Sequence, residues 1–451
     1  MSTKEVSEIA TDDLETPSLL QRYIAEGQVD PIIYRDESSN NNGFDKIPPL
    51  RRYPRKLDCV GTGANLTFFV DTTSDLLLAV NFRQKIPHGY IKEQYRDKYR
   101  MAWCHNLGHN LIVSGELMQG VKKLFEPITS INMDILMQNY MPKDERVGYR
   151  KKIGMVDKLT RWTTDLPEYV INFPLPFPYA SAHHKSLKIS PENKLQIVHN
   201  FLLRNKVFEL LRLQELQDDG TWKNCRAVEH KDKFHFDVDA NLFFEAPVLM
   251  GYYAKISLNE KEFISNETLE GRHIVFHNEL MQVKTGGIGQ DNTLSVKIEG
   301  VFDYRALLWV SIRRDFLTFN NFSNYSTTDD EDNEEDPIIH SSFLRGTDME
   351  WEELPSDYHS YGRNNNIGTY DPDEPGYHCH VFGLDLRRVG IDNTISGNKQ
   401  SVLTLKLKDN NYNCYVYTDN IKVHQYTHEG IFPMDNRISK LSTLVRGSQR
   451  M

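Results

Sequence analysis

The sequence predicts an all-β protein built from sandwiches or barrels, and three observations support this fold class. Short apolar stretches recur from Leu57 onward. Gly, Pro, Asn and Asp separate these stretches roughly every ten residues, a spacing typical of antiparallel sandwiches and barrels. Several stretches alternate apolar and polar residues with period two, as expected for strands that are buried on one face.

The strand-like stretches can be followed along the chain. The first are residues 66–70 (LTFFV), 75–82 (DLLLAVNF) and 110–118 (NLIVSGELM). Strict alternation then marks residues 294–299 (LSVKIE) and 403–408 (LTLKLK). We predict strands at all five positions.

Two further regions continue or interrupt this pattern. Residues 413–417 (NCYVY) and 421–426 (IKVHQY) carry β-branched and aromatic residues that suit a pleated surface. In residues 196–217, Phe201, Leu210 and Leu213 could instead line one face of a helix. Both a helix and strands stay open for that segment.

Composition and charge exclude several classes of protein. The 451 residues are 39% hydrophobic, which is enough for substantial cores. No stretch approaches the ~18 apolar residues of a membrane-spanning helix, and the acidic N-terminus lacks the apolar core of a secretory signal. A net charge of −10 argues against gripping DNA through the whole surface. The basic segments 51–56 (RRYPRK) and 146–152 (RVGYRKK) are interpreted as solvated loops.

Cysteine usage indicates the redox environment of the protein. The five cysteines are scattered and show no CxxC spacing, so we interpret them as reduced thiols in an intracellular compartment.

Polar segments predict where the chain leaves the sheets. Residues 1–50 are polar and acidic and are expected to form an extended arm or a partly disordered tail. The acidic run 329–336 (DDEDNEED) is predicted to be an exposed loop, because so dense a block of like charges would repel itself in a core. A calcium site is the alternative, but the run lacks the Gly and terminal Glu of a calcium loop. Residues 358–376 should form a long surface loop, and the glycines at 286–289 a hairpin turn.

Candidate chemistry is sparse. His378 and His380 would share one strand face, as in half of a cupin-type metal site, but only Asp385 follows where a Glu ligand is needed. His105 and His109 have the i, i+4 spacing of a zinc pair without the Glu between them that acts as general base. The pair at 183–184 has no evident partners. We therefore predict hydrogen-bonding or surface histidines, and no catalytic, cofactor-binding or metal site.

Three segments, in order, resemble motifs of the double jelly-roll major capsid proteins of nucleocytoplasmic large DNA viruses. Residues 171–189 (INFPLPFPYASAHHKSLKI) have the family's Pro-flanked aromatic stretch and the strand that follows it. Residues 248–282 resemble the strand and polar stretch that join the two jelly rolls. Residues 301–310 (VFDYRALLWV) are similar to a strand of the family, and Trp309 matches the tryptophan of that strand. Residues 318–325 (TFNNFSNY) are similar to the loop that follows this strand.

This resemblance implies an architecture. The family has two tandem eight-stranded antiparallel jelly rolls with a few short helices in loops. Carried onto this chain, it implies an N-terminal arm at 1–56, a first jelly roll at 57–260 and a second at 261–451 with long surface loops. The polar segment 259–271 (NEKEFISNETLEG) suits a linker between them.

The resemblance also implies a function. By this resemblance, the chain is expected to be a structural subunit of an icosahedral viral capsid that forms pseudo-hexagonal homotrimers. No enzymatic activity and no cofactor are expected. Expected partners are neighbouring capsomers, minor capsid or penton proteins and an inner membrane, without sequence-specific nucleic-acid binding. The expected location is the virion, after assembly in the host cytoplasm.

Two alternatives from other classes stay open. A carbohydrate-binding or carbohydrate-active β-sandwich would need an acidic pair in a cleft lined by tryptophan. A cupin-like metalloenzyme would centre on His378 and His380.

Overall fold

The computed structural model describes most of the chain from Arg51 onward. The described residues are 51–178, 186–189, 196–239, 241–255, 273–298, 303–329, 333–361, 369–382, 386, 400–427 and 430–433. The arm at 1–50, the histidines at 183–184 and the linker at 259–271 lie outside them. We call the described residues up to Lys255 the first half and those from His273 the second half.

The first half consists of short strands with a helical insertion in the middle. Its strands are β1 (Arg51–Lys56), β2 (Asp58–Thr62), β3 (Asn65–Phe69), β4 (Leu76–Ile86), β5 (Gly89–Ile91), β6 (Tyr99–Trp103), β7 (Ile112–Gln119), β8 (Lys122–Lys123), β9 (Asp165–Leu166), β10 (Tyr169–Pro174), β11 (Leu187–Lys188), β12 (Ile197–Leu203), β13 (Leu211–Leu216), β14 (Trp222–Cys225), β15 (Phe234–Phe236) and β16 (Val248–Lys255). Its α-helices are α1 (Leu107–Leu111), α2 (Ser130–Tyr140), α3 (Lys143–Lys152) and α4 (Asp157–Thr160). Its 3₁₀ turns are Glu93–Tyr95, Val207–Glu209 and Ala227–Lys233.

The second half has fewer and longer strands. They are β17 (His273–Val283), β18 (Thr293–Ile298), β19 (Tyr304–Arg313), β20 (Ile338–Arg345), β21 (Asp348–Pro355), β22 (His378–Val381), β23 (Ser401–Leu407), β24 (Tyr412–Thr427) and β25 (Gly430–Pro433). Its helices are α5 (Arg314–Thr318) and α6 (Ser356–Ser360).

Each half forms a pair of antiparallel sheets. In the first half the orders are β1-β16-β4-β10, with β11 also paired to β4, and β2-β3-β12-β7-β8. In the second half they are β17-β24-β19-β22, with β25 paired to β24, and β18-β23-β20-β21. Two small sheets, β14-β13-β6 and β15-β5-β9, extend the first half. The all-β prediction is confirmed.

Alternation places the core residues as expected. On β18, Leu294, Val296 and Ile298 are buried while Ser295 and Lys297 are exposed. Leu403, Leu405 and Leu407 on β23 are buried in the same core. In the first half, Phe68, Val80, Phe82 and Phe201 are among the residues that fill the space between the sheets. Burial of such faces supplies the main driving force for the sandwich.

Of the two alternatives left open for residues 196–217, the structure has the strands: the segment forms β12 and β13 around a 3₁₀ turn. Three local predictions were wrong. Residues 51–56 form strand β1, and 146–152 lie in helix α3. The glycines at 286–289 do not make a hairpin, because β17 and β18 belong to different sheets.

The predicted surface loop at 358–376 is only partly a surface loop. Its start lies in α6, where His359 and Ser360 are buried, and Thr369 near its end is buried as well. Residues 362–368 lie outside the described part of the chain. Among the described residues, no helix has the length and apolar character needed to cross a bilayer.

Candidate functional site at the junction of the two halves

The histidines singled out from the sequence are engaged in packing and hydrogen bonds. His378 Nε2 lies 2.7 Å from Asp336 Oδ2, and its ring stacks on Trp309 with 5.5 Å between centroids. His380 packs against Trp351 at 4.1 Å. The described residues contain no group of three or more His, Cys, Asp or Glu that could hold a metal ion.

At Asp336, the last residue of the acidic run 329–336, the prediction of an exposed loop was wrong. Burial would raise the pKa of Asp336, but His378 and the hydrogen bonds to the carboxylate hold that pKa below its ordinary value. The end of the run is therefore an internal hydrogen-bonding element. Glu335, one residue earlier, is exposed and pairs with Lys408.

His105 and His109 take different partners and do not form a zinc pair. Burial lowers the pKa of His105 to about 3, and its Nε2 lies 3.3 Å from Arg212 Nη1. His109 is fully buried and belongs to the contact between the halves. That contact, which we call the junction, is the candidate functional site.

Asp134 on α2 is the polar centre of the junction. Its side chain is fully buried. Oδ1 accepts a hydrogen bond from Asn106 Nδ2 at 2.8 Å and lies 2.6 Å from His109 Nδ1. Oδ2 accepts hydrogen bonds from Ser323 Oγ at 2.5 Å and Tyr325 OH at 2.9 Å. One carboxylate therefore joins residues of both halves, and its four partners offset the cost of burying it.

The donors around Asp134 are themselves held in place. His109 Nε2 lies 3.0 Å from Tyr149 OH. Asn110 Nδ2 donates to Ser323 Oγ at 2.7 Å, again across the junction. Burial raises the pKa of Tyr325 well above its ordinary value, so its hydroxyl keeps the proton that it donates. Asp134 and the donors around it are buried from solvent.

A second polar contact joins α2 to β24. Arg305 Nη2 lies 2.7 Å from Asp419 Oδ2 in a buried ion pair of the second half. Tyr140 OH from the first half donates to the same oxygen at 3.0 Å. Arg305 Nη1 also donates to the Leu386 carbonyl at 2.9 Å. Removing one partner of such a buried pair would leave an uncompensated buried charge and destabilise the protein.

A third contact links three charged side chains. Lys422 Nζ lies 2.6 Å from Glu126 Oε1 and 3.1 Å from Glu279 Oε2. The Glu126 backbone N–H donates to Glu279 Oε2 at 3.1 Å. Burial raises the pKa of Glu279. Burial also disfavours the charged lysine, but the two glutamates outweigh it and raise the pKa of Lys422.

His424 adds a neutral contact beside these charges. Its Nε2 donates to the Leu124 carbonyl across the junction at 2.7 Å. The rings of His424 and His277 pack on Phe125 at 4.9 and 5.1 Å. Burial lowers the pKa of His424 to about 4, so the imidazole is neutral at pH 7.

Helix α3 extends the junction toward residues 371–374. Arg146 is buried and donates to the Gln138 carbonyl at 3.0 Å and to the Asp371 carbonyl at 2.7 Å. Arg150 Nη2 pairs with Glu374 Oε1 at 2.7 Å. The segment predicted as a solvated basic loop thus holds the two halves together.

Apolar packing accompanies the polar contacts. One buried cluster contains residues of both halves, with Ile135 from α2 and Leu308 and Val310 from β19 among them. β19 is therefore buried on both faces, since Leu307 and Trp309 point into the core of the second half. A strand buried on both faces is characteristic of a sheet covered by neighbours on each side.

A cavity of about 570 Å³ lies at the same junction. Met133 and Met137 of α2, Pro176 and Leu280 give it an apolar lining. Four of the charged groups on its wall, Glu126, Glu279, Arg305 and Asp419, are paired as described above, and the fifth, Glu145, is exposed; no tryptophan lines the cavity. This cavity is therefore not the tryptophan-lined cleft that the carbohydrate alternative expects.

Sequence reasoning found only part of this site. Thr318–Tyr325 was recognised by resemblance, and it supplies Ser323 and Tyr325 to Asp134. Asp134, Glu126 and Lys422 were missed, because each is an isolated charge in its own segment and no local pattern links them. The capping pair Thr129 and Asn132 at the start of α2 is the only local signal, and it marks a helix rather than a function.

The sequence and the fold can be compared with those of known proteins. No family model matches the sequence, and no curated protein matches it. Among solved structures, VP54 of PBCV-1 aligns over 88% of this chain and 99% of its own, with a TM-score of 0.63 and 10% identity. The Faustovirus major capsid protein aligns over 85% and 92%, with a TM-score of 0.64 and 7% identity.

A third similar structure is that of the Sputnik virophage, which aligns over 89% of this chain and 92% of its own, with a TM-score of 0.54 and 11% identity. At such identities the agreement concerns the fold, and it extends over both halves. The predicted boundary between 260 and 261 stays a prediction, because residues 256–272 lie outside the described part. The chain has the double jelly-roll fold of these viral capsid proteins, as the resemblance in its sequence predicts.

Proposed function

We propose that this protein is a structural subunit of an icosahedral viral capsid that assembles as pseudo-hexagonal homotrimers. The observation that carries the proposal is the extent of the structural agreement. VP54 of PBCV-1 aligns over 99% of its length, so both jelly rolls and their mutual placement are shared. A chance likeness of one sandwich would not extend across the junction.

The junction supports a mechanical role. A shell subunit must keep its two sandwiches in a fixed relation while neighbours bind on several sides. Buried hydrogen bonds to Asp134 and Asp419 specify one arrangement of the halves, and the apolar cluster around Ile135 supplies burial energy. Individually modest contacts between subunits then gain strength by repetition.

The polar groups of the junction also argue against catalysis there. Asp134 has no exposure to solvent, and Glu279 and Asp419 are nearly as deeply buried and are each engaged with a cation. A general acid or base must reach its substrate, and an activated nucleophile needs a free base beside it. We propose that the protein is not an enzyme.

The remaining partners belong to the same proposal. Neighbouring capsomers and minor capsid or penton proteins contact the flanks of the trimer. Residues 51–56 form β1 of the first half, so we propose that the arm at 1–50 reaches beneath the shell to a neighbour or to an inner membrane. Assembly takes place in the host cytoplasm, and the mature protein resides in the virion.

The experiment that tests the proposal is the mass of the purified full-length chain. Light scattering coupled to size exclusion should give three times the 52.5-kDa chain mass. Deletion of residues 1–50 should reduce assembly into larger particles. A stable monomer with hydrolase activity, or one that retains a metal ion, would contradict the proposal.

A further inference from the structure

The outer strand of one sheet in the first half is strongly basic. β1 is the end of the order β1-β16-β4-β10, and its one described neighbour is β16. Arg52, Arg55 and Lys56 on it are exposed, and its sequence RRYPRK contains no acid. Lys255, also exposed, lies on β16 in register with the start of β1. Arg55 pairs with Asp71 at 2.5 Å, so the net positive charge of this edge comes from its other basic residues, in a chain whose net charge is −10.

The outer strand of one sheet in the second half is strongly acidic. β21 ends the order β18-β23-β20-β21 and pairs with β20 alone among the described strands. Asp348, Glu350, Glu352 and Glu353 are exposed, and the sequence DMEWEELP contains no base. Glu350 lies 3.6 Å from Arg345, and the other three have no ion pair among the described residues.

The two charge patterns decide which contacts between copies are permitted. Exposed edge strands can pair with other chains, and charges on them discourage that pairing. Two copies of β1 repel each other, as do two copies of β21, so a two-fold contact through either edge is disfavoured. A contact between β1 of one copy and β21 of the next is attractive. Such a head-to-tail contact generates a closed ring when the rotation between copies closes.

We propose that β21 of one copy docks beside β1 of the next copy and so closes the homotrimer. The inference deepens the proposed capsid function, on which it rests, by naming the two surfaces that meet. The lengths are compatible, since β1 has six residues and β21 has eight. The contact is electrostatic and exposed, so salt screens it.

Charge reversal tests the contact. One variant carries Arg52→Glu and Lys56→Glu, a second carries Asp348→Lys and Glu352→Lys, and a third combines all four changes. Each of the first two should raise the dissociation constant of the trimer by about tenfold or more, because attraction becomes repulsion. The combined variant should restore the trimer, since its edges are again complementary. Sedimentation velocity at 50 and 500 mM NaCl measures the constants.

Matched controls reverse equally exposed charges away from both edges. They carry Lys143→Glu with Lys223→Glu, and Asp97→Lys with Asp218→Lys. These controls should form trimers like the parent chain, and circular dichroism should show that every variant is folded.

Mixing the two single-edge variants gives a further check. Every contact between unlike variants is matched, but a ring of three always contains at least one contact between like variants. Mixing should therefore restore pairs of chains but not a fully matched trimer. The combined variant should form the trimer by itself, without a second variant.

The outcomes separate this inference from the proposed function. Trimers that survive both single-edge reversals would overturn the docking of β21 on β1 and leave the capsid proposal intact. A parent chain that stays monomeric would overturn both.

Discussion

Asp134 is the residue on which the junction depends most. Asp134→Asn keeps the shape but removes the charge and replaces one acceptor oxygen by a donor, which would face donors from its partners. We expect the free energy of unfolding to fall by about 3 kcal/mol, the usual cost of breaking a buried, charge-assisted network. Urea titration followed by tryptophan fluorescence measures it, with Asp144→Asn, exposed on α3, as the control. Equal urea midpoints for Asp134→Asn and Asp144→Asn would contradict the role given to Asp134 in the junction.

His424 should make stability depend on pH. Burial lowers its pKa from 6.5 to about 4, so between these values the unfolded imidazole binds a proton that the folded one excludes. The free energy of unfolding therefore decreases as pH falls from 6.5 to 4, by about 1.4 kcal/mol per unit for one group, and this contribution is fully present above pH 6.5. Buried His199, with a pKa lowered to about 3, acts in the same direction.

The variant His424→Gln isolates this effect. The amide can still donate to the Leu124 carbonyl but does not titrate, so stability should fall less steeply between pH 6.5 and 4 than in the parent chain. His235→Gln, at an exposed position, should keep the parent slope. Unchanged slopes in both variants would show that His424 does not bind the extra proton on unfolding.

Individual residues of the junction were the hardest to predict. Trp309 was found because it belongs to an ordered motif, and its burial in the second core agrees with that motif. Asp134 was missed, because its partners Asn106 and Tyr325 are far from it in sequence. A network made of distant residues leaves no periodic signal.

At the scale of elements, α2 is the connection between the halves. Ile135→Ala should leave a cavity in the shared cluster and cost about 2–5 kcal/mol. Because the two halves would then be less coupled, differential scanning calorimetry should resolve two transitions where the parent shows one. Ile91→Ala, in the core of the first half, should lower the transition temperature without splitting the transition. Splitting in both variants or in neither would contradict a coupling role for α2.

A second element-scale prediction concerns the close approach of two loops. Gly376 has φ 85°, and a Cβ there would lie 2.2 Å from the Tyr325 carbonyl oxygen. Gly376→Ala should therefore displace Tyr325 from Asp134 and destabilise the junction by at least about 2 kcal/mol. Gly148→Ala, where a Cβ meets open space on α3, should stabilise slightly. Urea titration distinguishes the two glycine variants. A Gly376→Ala variant with the same free energy of unfolding as the parent chain would count against the close packing.

Elements were predicted well where alternation was strict and poorly where charge dominated. β18 and β23 follow from period two alone, and most of β24 follows from its β-branched and aromatic residues. The segment at 196–217 fitted both helical and strand spacing, and only pairing with β3 and β7 decides it. α3 was read as a loop because its sequence is basic, and its burial of Arg146 depends on carbonyls that only the tertiary structure supplies.

At the scale of the whole molecule, the order of three motifs carried more information than any motif alone. It predicted two adjoining jelly rolls, and the structural agreement over both halves confirms that fold. The relation between the halves could not be predicted in the same way. It is fixed by contacts between residues far apart in sequence, such as Lys422 with Glu126.

The most direct test is electron microscopy of the full-length chain purified at high concentration. We expect particles with a three-fold axis and six sandwich-sized densities around it, two from each copy. Single pairs of sandwiches, or particles with two-fold symmetry only, would contradict the claim that this double jelly roll is a shell-forming subunit.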